Sequence, residues 1–196
     1  MKKLIIGLVV IAVFVLIGTK IFQKKGTSKE ILSISNYTEL FPTKETTQTY
    51  NISGKKQAVK TTVESKDGST IVTMSYQENK ETVERIYTMN SEKILEEVKH
   101  LSDGKEVSTE GVTEILTSFP YVGLTYHSVD GLITYEVTEM NNNKITIIST
   151  QKITDYEKDK PVERDYKIKR IFEKGKGMVL YETELNGQKN TVLKIK

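Results

Sequence analysis

Two histidines, a few carboxylates and one glycine-flanked lysine are the residues of this chain whose types could do chemistry. His100 and His127 stand 27 residues apart, with no acidic partner at a fixed spacing. A serine nucleophile would want a G-x-S-x-G elbow, and none is present. A two-histidine zinc site would need further ligands, which nothing in the sequence singles out. Both histidines read as ordinary sheet or surface residues. Asp155, Glu157 and Asp159 alternate like the start of a calcium loop, which then wants glycine and glutamate at its sixth and twelfth positions. Lys160 and Tyr166 occupy those places and Pro161 interrupts, so a solvated turn is the better reading. Gly175-Lys176-Gly177 lacks the third glycine, the Ser/Thr and the following helix of a phosphate loop. Glu81, Glu84, Glu96 and Glu97 offer carboxylates, but paired acid–base work needs a cleft. They read as charge on the wet face of a sheet. The sequence thus nominates no catalytic, cofactor-binding or metal-binding residue, and the expectation is a protein that is not an enzyme.

The elements that would position these residues are strands. From Thr47 onward Thr, Val, Ile and Tyr recur with period two between turn signals. The turns are Lys66-Asp67-Gly68, Asp103-Gly104, Asp130-Gly131, Asn141-Asn142-Asn143, Gly175-Lys176-Gly177 and Asn186-Gly187. Asp-Gly and Asn-Gly supply the positive φ that two-residue hairpins demand. Val72, Met74 and Tyr76 face one way; Ile133, Tyr135 and Val137 repeat the pattern. Tyr166, Ile168 and Phe172 share a face with Arg170, while Lys167 and Lys169 point away. One buried and one wet side is the mark of antiparallel sheet. Residues 92–101 fit a short helix or a strand of a hairpin through Asp103-Gly104, and the context favours the hairpin. Gly111 to Ser118 reads as a crossover loop or a single helical turn. The fold class expected is all-β: a curved antiparallel meander, open or half-barrel and lipoprotein-carrier-like, preceded by one N-terminal transmembrane helix.

That helix is read from residues 1–25. Leu4 to Gly18 is unbroken apolar sequence, and Ile21 and Phe22 extend it. At about 1.5 Å per residue, residues 4–22 span roughly 28 Å, close to the about 30 Å hydrocarbon core of a bilayer. The twelve Leu, Ile, Val and Phe residues up to Ile17 favour insertion by at most roughly 4–7 kcal/mol, and Lys20 can reach the headgroups along its stem. Leu16 spoils a cleavage site after Gly18, and Gly26-Thr27-Ser28 lies beyond two lysines, so a retained signal anchor is favoured over a cleaved peptide. With no cysteine in the chain, lipid attachment at a signal-peptide cysteine, disulfides and thiolate metal sites are excluded. Residues 26–38 form a tether, and 39–196 one extracytoplasmic β domain. Removing the five lysines of residues 1–26 leaves 24 basic against 26 acidic groups. A near-neutral domain has no electrostatic footprint for nucleic acid.

Three phrases carry a family resemblance. Leu40-Phe41-Pro42 leading to Tyr50, and Phe119-Pro120-Tyr121-Val122-Gly123-Leu124-Thr125-Tyr126, are similar to a repeated F-P-L-x-x-G-x-x-W phrase. Phe172 to Leu180, with the hairpin Glu184-Leu185-Asn186-Gly187, resembles Y-x-x-G-V-G-L-V. Together they resemble uncharacterised cell-envelope proteins and lipoproteins of Gram-positive bacteria. The first copy here lacks its glycine, and no tryptophan is present. The resemblance implies an extracytoplasmic all-β domain and offers no catalytic residues. Physically, Phe-Pro can start a strand where the missing N–H does no harm, with Tyr50 and Tyr126 half-buried on the sheet.

The function expected is a membrane-anchored binding or adaptor domain of the cell envelope. Its partners are the membrane, through residues 4–22, and an envelope protein or lipid, with no nucleic acid and no cofactor. The alternative is a carrier of lipid or another hydrophobic ligand on the concave face that a curled sheet offers, unless a segment such as 108–120 fills it. Proteinase added to intact, wall-stripped cells should remove the domain and leave residues 1–25 in the membrane; full protection would place the domain in the cytoplasm.

Overall fold

The computed structural model describes residues 37–90, 92–117, 120–157 and 160–196. The predicted membrane segment 4–22 and nearly all of the tether lie outside them. A 3₁₀ turn, Tyr37–Leu40, leads into β1 (Thr46–Ile52), β2 (Lys55–Lys66), β3 (Ser69–Glu78), β4 (Glu81–Met89), β5 (Ile94–Ser102) and β6 (Lys105–Leu116). The second half holds β7 (Thr125–His127), β8 (Ile133–Asn141), β9 (Lys144–Glu157), β10 (Lys160–Glu173), β11 (Gly177–Leu185) and β12 (Gln188–Ile195). All belong to one open sheet of 12 strands in the order β6-β5-β4-β3-β2-β1-β12-β11-β10-β9-β8-β7, with every neighbouring pair antiparallel.

Two six-strand meanders are therefore joined edge to edge through β1 and β12. Asp67-Gly68, Asp103-Gly104 and Asn186-Gly187 make two-residue turns with φ positive at both positions, as their sequence requires. Residues 92–101 include no helix; β5 occupies most of them. Two expectations need correcting. Gly111 to Leu116 is neither loop nor helical turn but the end of β6, paired with β5 as far as Ile94↔Leu116. Phe41-Pro42 does not start a strand: Leu40 and Phe41 sit in the core, β1 begins only at Thr46, and Tyr50 is wholly buried.

The connection from β6 to β7 dictates the curvature. These strands form the opposite edges of the sheet, yet only residues 117–124 link them. Nine chain steps reach at most about 32 Å, whereas eleven strand spacings of a flat sheet span about 53 Å. The sheet must roll until its edges approach, and the Tyr126 hydroxyl on β7 donates to the Ile115 carbonyl on β6 at 2.5 Å. Hydrogen-bonded closure does not follow, and the sheet stays open.

Rolling turns one face inward. Val72, Met74 and Tyr76, Val83 and Tyr87, Tyr135 and Val137, and Phe172 are buried there, the alternation read from the sequence. Phe41 enters this interior at one end, its ring 5.0 Å from Tyr87 and 5.6 Å from Phe172. The Gly175 N–H donates to the Glu39 carbonyl at 2.9 Å, and the Tyr37 hydroxyl donates to the Thr117 carbonyl. The first described residues thus tie β6 to the β10–β11 turn. Gly177 closes against them: φ is +80°, and a Cβ there would lie 3.2 Å from the Phe41 ring.

Phe41→Ala should cost about 3–5 kcal/mol, read from the urea midpoint at unchanged slope. Gly177→Ala should cost about 1 kcal/mol or more, and more than Gly187→Ala, which shares the positive φ but meets open space.

Candidate ligand cavity and its buried charges

Period-two alternation places three charged side chains on the inward face. Arg85 follows Val83 and precedes Tyr87 on β4; Glu96 lies between Ile94 and Val98 on β5; Arg170 precedes Phe172 on β10. Arg85 and Arg170 are each 6% exposed, and Glu96 is 4%. Arg85 reaches Glu96 across neighbouring strands, with Nη1 donating to Oε1 at 3.2 Å. Arg170 reaches it across the interior, from the other half of the sheet. Its Nε and Nη2 donate to Oε2 at 3.1 and 2.8 Å. The Tyr87 hydroxyl donates to Oε1 at 3.0 Å. Glu96 therefore accepts four hydrogen bonds, three of them from cations.

Aromatic groups complete the cluster. The Tyr76 hydroxyl accepts from Arg85 Nε at 3.0 Å. The Tyr181 ring on β11 lies 4.1 Å from the Arg85 guanidinium carbon and 5.3 Å from that of Arg170, close enough for its π-face to attract both. Burial pushes the Glu96 carboxyl upward, but the Arg170 and Arg85 charges and the hydrogen bonds from Arg170 and Tyr87 outweigh it. The carboxyl is held below its ordinary value. Burial drives the Tyr87 hydroxyl well above its own. Two guanidiniums meet one carboxylate, so the cluster carries one positive charge in excess.

A cavity of about 240 Å³ opens beside Arg170. At about 30 Å³ per water it has room for roughly eight waters. Tyr135, Ser149, Tyr166 and Tyr181 line it, and Glu110 stands among the lining residues with its carboxylate 68% exposed. Arg170 Nη1 donates to Ser149 Oγ at 3.0 Å. A guanidinium has five N–H donors; Glu96 and Ser149 take three, and two remain without an acceptor among the described residues. Tyr135, whose ring stacks on Tyr126 at 5.0 Å, has its hydroxyl pushed up to about 12, chiefly by burial and against the pull of Arg170.

The residues singled out by type fall elsewhere, with one exception. Glu96 is not on the wet face but at the centre of the charge cluster, a correction to its reading as surface charge. Glu97 lies 3.7 Å from Lys99. His100 sits 3.3 Å from Glu81 and 3.9 Å from Glu110. His127 Nδ1 is 3.2 Å from the Thr134 hydroxyl. Asp155 pairs with Arg164 at 2.9 Å, while the Glu157 side chain and Asp159 lie outside the described residues. Lys176 pairs with Glu173 across its turn at 2.7 Å. Among the described residues no group of three or more His, Asp or Glu side chains is placed to hold a metal ion. Sequence reasoning missed Arg85 and Tyr181. Their signal was a guanidinium and a phenol at the apolar parity of a strand, the same parity that put Arg170 beside Phe172.

No family model, curated protein or solved structure matches the chain.

Charge balance ranks the variants of this cluster. Glu96→Gln leaves two buried guanidiniums with no counter-charge and should cost about 3–5 kcal/mol. Arg170→Met leaves a balanced Arg85–Glu96 pair and should cost less, as equilibrium unfolding would show. Because the folded Glu96 carboxyl lies below its ordinary 4.5, its contribution is fully present above that pH and is lost as pH falls toward the folded value. In Glu96→Gln that component of the acid dependence should disappear.

Proposed function

We propose that this protein is a membrane-tethered, extracytoplasmic binding domain that takes a small polar ligand in the cavity beside Arg170, without catalysing a reaction. The observation that carries the reading is the buried guanidinium with donors to spare, lining a cavity walled by hydroxyls and tyrosine rings. Arg85 has spare donors too, but Arg170 is the one of the two that lines the cavity.

The hydrophobic-carrier alternative draws less support. The apolar interior that an acyl chain would need is occupied by Phe41, Tyr50, Tyr87 and Phe172. Of the segment expected to fill a concavity, 108–120, Ile115 and Leu116 on β6 are buried in the core, together with Phe41 and the inward side chains of the opposed halves. A hydrolase of the Ser-His-acid type would need a histidine, an acid and a hydroxyl together. His100 has acids and His127 a hydroxyl, and among the described contacts neither has both. The adaptor reading has its own support, since Val107 and Val112 on edge strand β6 are 56% and 63% exposed. The resemblance to Gram-positive envelope proteins and the anchor at 4–22 supply the proposed setting.

Native mass spectrometry of the full chain, extracted from its own membranes in mild detergent, tests this reading. A small labile adduct is expected, lost in Thr113→Phe, which puts a ring among the residues lining the cavity. An adduct of lipid mass would promote the carrier, and a bare polypeptide mass would leave the adaptor ahead.

A further inference from the structure

The cavity's chemistry is specific enough to name a ligand class, an inference that rests on the binding reading above. The excess charge of the buried cluster is a single positive one: Arg85 and Arg170 against Glu96, all at least nine-tenths buried. Both guanidiniums stay charged at any physiological pH, so protonation cannot remove the excess. A monoanion in the cavity would cancel it. A dianion would overshoot; Glu110, also among the lining residues, opposes either anion, but its side chain is 68% exposed and its charge is screened by solvent.

Geometry narrows the class further. The guanidinium is a planar fork that matches the two oxygens of a carboxylate. Glu96 already uses Nε and Nη2, with one hydrogen bond from each, and Ser149 takes one from Nη1. The donors left over belong to the Nη1 and Nη2 groups. Around them Tyr135 and Tyr166 line the same cavity, and burial raises both phenols above their ordinary value; the Tyr166 oxygen accepts from Thr183, which leaves its O–H to donate. Protonated phenols are donors to an oxyanion. Ile133 and Ile168 complete the wall and offer an apolar surface to the rest of the ligand.

We infer that the cavity beside Arg170 binds a small monocarboxylate bearing an apolar group, its carboxylate taken by the spare N–H donors of Arg170 and the Tyr135 and Tyr166 hydroxyls. The carboxylate could belong to a free organic acid or to the head of an acyl chain that leaves through the cavity mouth. In either source the head-group chemistry is the same.

Calorimetric titration of the full chain in detergent tests this with matched probes. Benzoate and benzamide share shape and differ in charge. Benzoate should bind about tenfold or more tightly than benzamide, the difference between charge-assisted and neutral hydrogen bonds, and more tightly than inorganic phosphate, which is largely dianionic at pH 8. Tyr166→Phe should weaken benzoate several-fold with benzamide little changed, and it leaves the Glu96 cluster intact, so the test survives if Arg170 variants do not fold. A straight-chain series from butyrate to octanoate separates the sources: affinity that levels off marks a free acid, and affinity that keeps rising marks an acyl chain. Benzamide binding as tightly as benzoate would overturn the carboxylate assignment and leave the binding reading standing. Silence from benzoate, benzamide and phosphate alike would overturn both.

Discussion

Because only eight residues join β6 to β7, the two outermost strands of a twelve-strand sheet have to meet, and a face that could have been flat becomes an interior. Beyond the β1–β12 pairing, the contacts across the interior follow from that closure. Tyr37 reaches Thr117, Tyr126 reaches Ile115, and Arg170 reaches Glu96 only because the two meanders are opposed. The roll also explains why one face must be apolar along nearly every strand, although no strand is buried on both faces as in a parallel sheet. A twisted sheet of this width would curl in any case; the short link sets how far.

Closure by packing rather than by backbone pairing leaves an edge to protect. The first eight residues of β6, Lys105 to Val112, are exposed, and β7 is only three residues long. The β5–β6 pairing carries three register irregularities, and β6 bears Lys105, Glu106, Glu110 and Glu114. Bulges, charges and a very short edge strand are the means by which sheets discourage strangers from pairing. Val107 and Val112 run against that protection, which is why the edge supports an adaptor reading at all.

Much of this was legible in the chain. Alternation found the inward face of β3, β8 and β10, and Asp-Gly and Asn-Gly found four of the hairpins. Ser53-Gly54 and Asn79-Lys80 were harder, because lysine at positive φ follows no local preference. Residues 92–101 hid their state since Ile94, Leu95, Val98 and Leu101 satisfy a helical period as well as a strand with one irregular position. Phe41 misled for another reason: Phe-Pro suits a strand start locally, and its burial depends on Tyr87 and Phe172, far away in sequence. The charge cluster sits at the limit of such reading. Parity can say that Arg170 and Glu96 point inward, but their meeting requires strand order, a roll and a register, none of which is local. Glu96 beside Glu97 looks like any surface pair until β5 is set in place.

The charge cluster is also where stability and specificity part. A buried ion pair is weak evidence of stability, since apolar replacements of similar volume often do as well. Glu96 nevertheless bonds one guanidinium from each half of the sheet, and no aliphatic residue could demand that particular opposition. A triad with equal charges would have ended there, as a registry device. Arg170 is the guanidinium that joins the halves, since Arg85, Tyr87 and Glu96 lie on β4 and β5; it also brings a charge beyond the neutral Arg85–Glu96 pair. Arg170 adds a charge that the core must keep desolvated, at a cost that falls only when something negative occupies the cavity. Ligand binding and the opposition of the two meanders would then draw on the same guanidinium, so that occupancy strengthens the join between β5 and β10 as well as filling the space beside it.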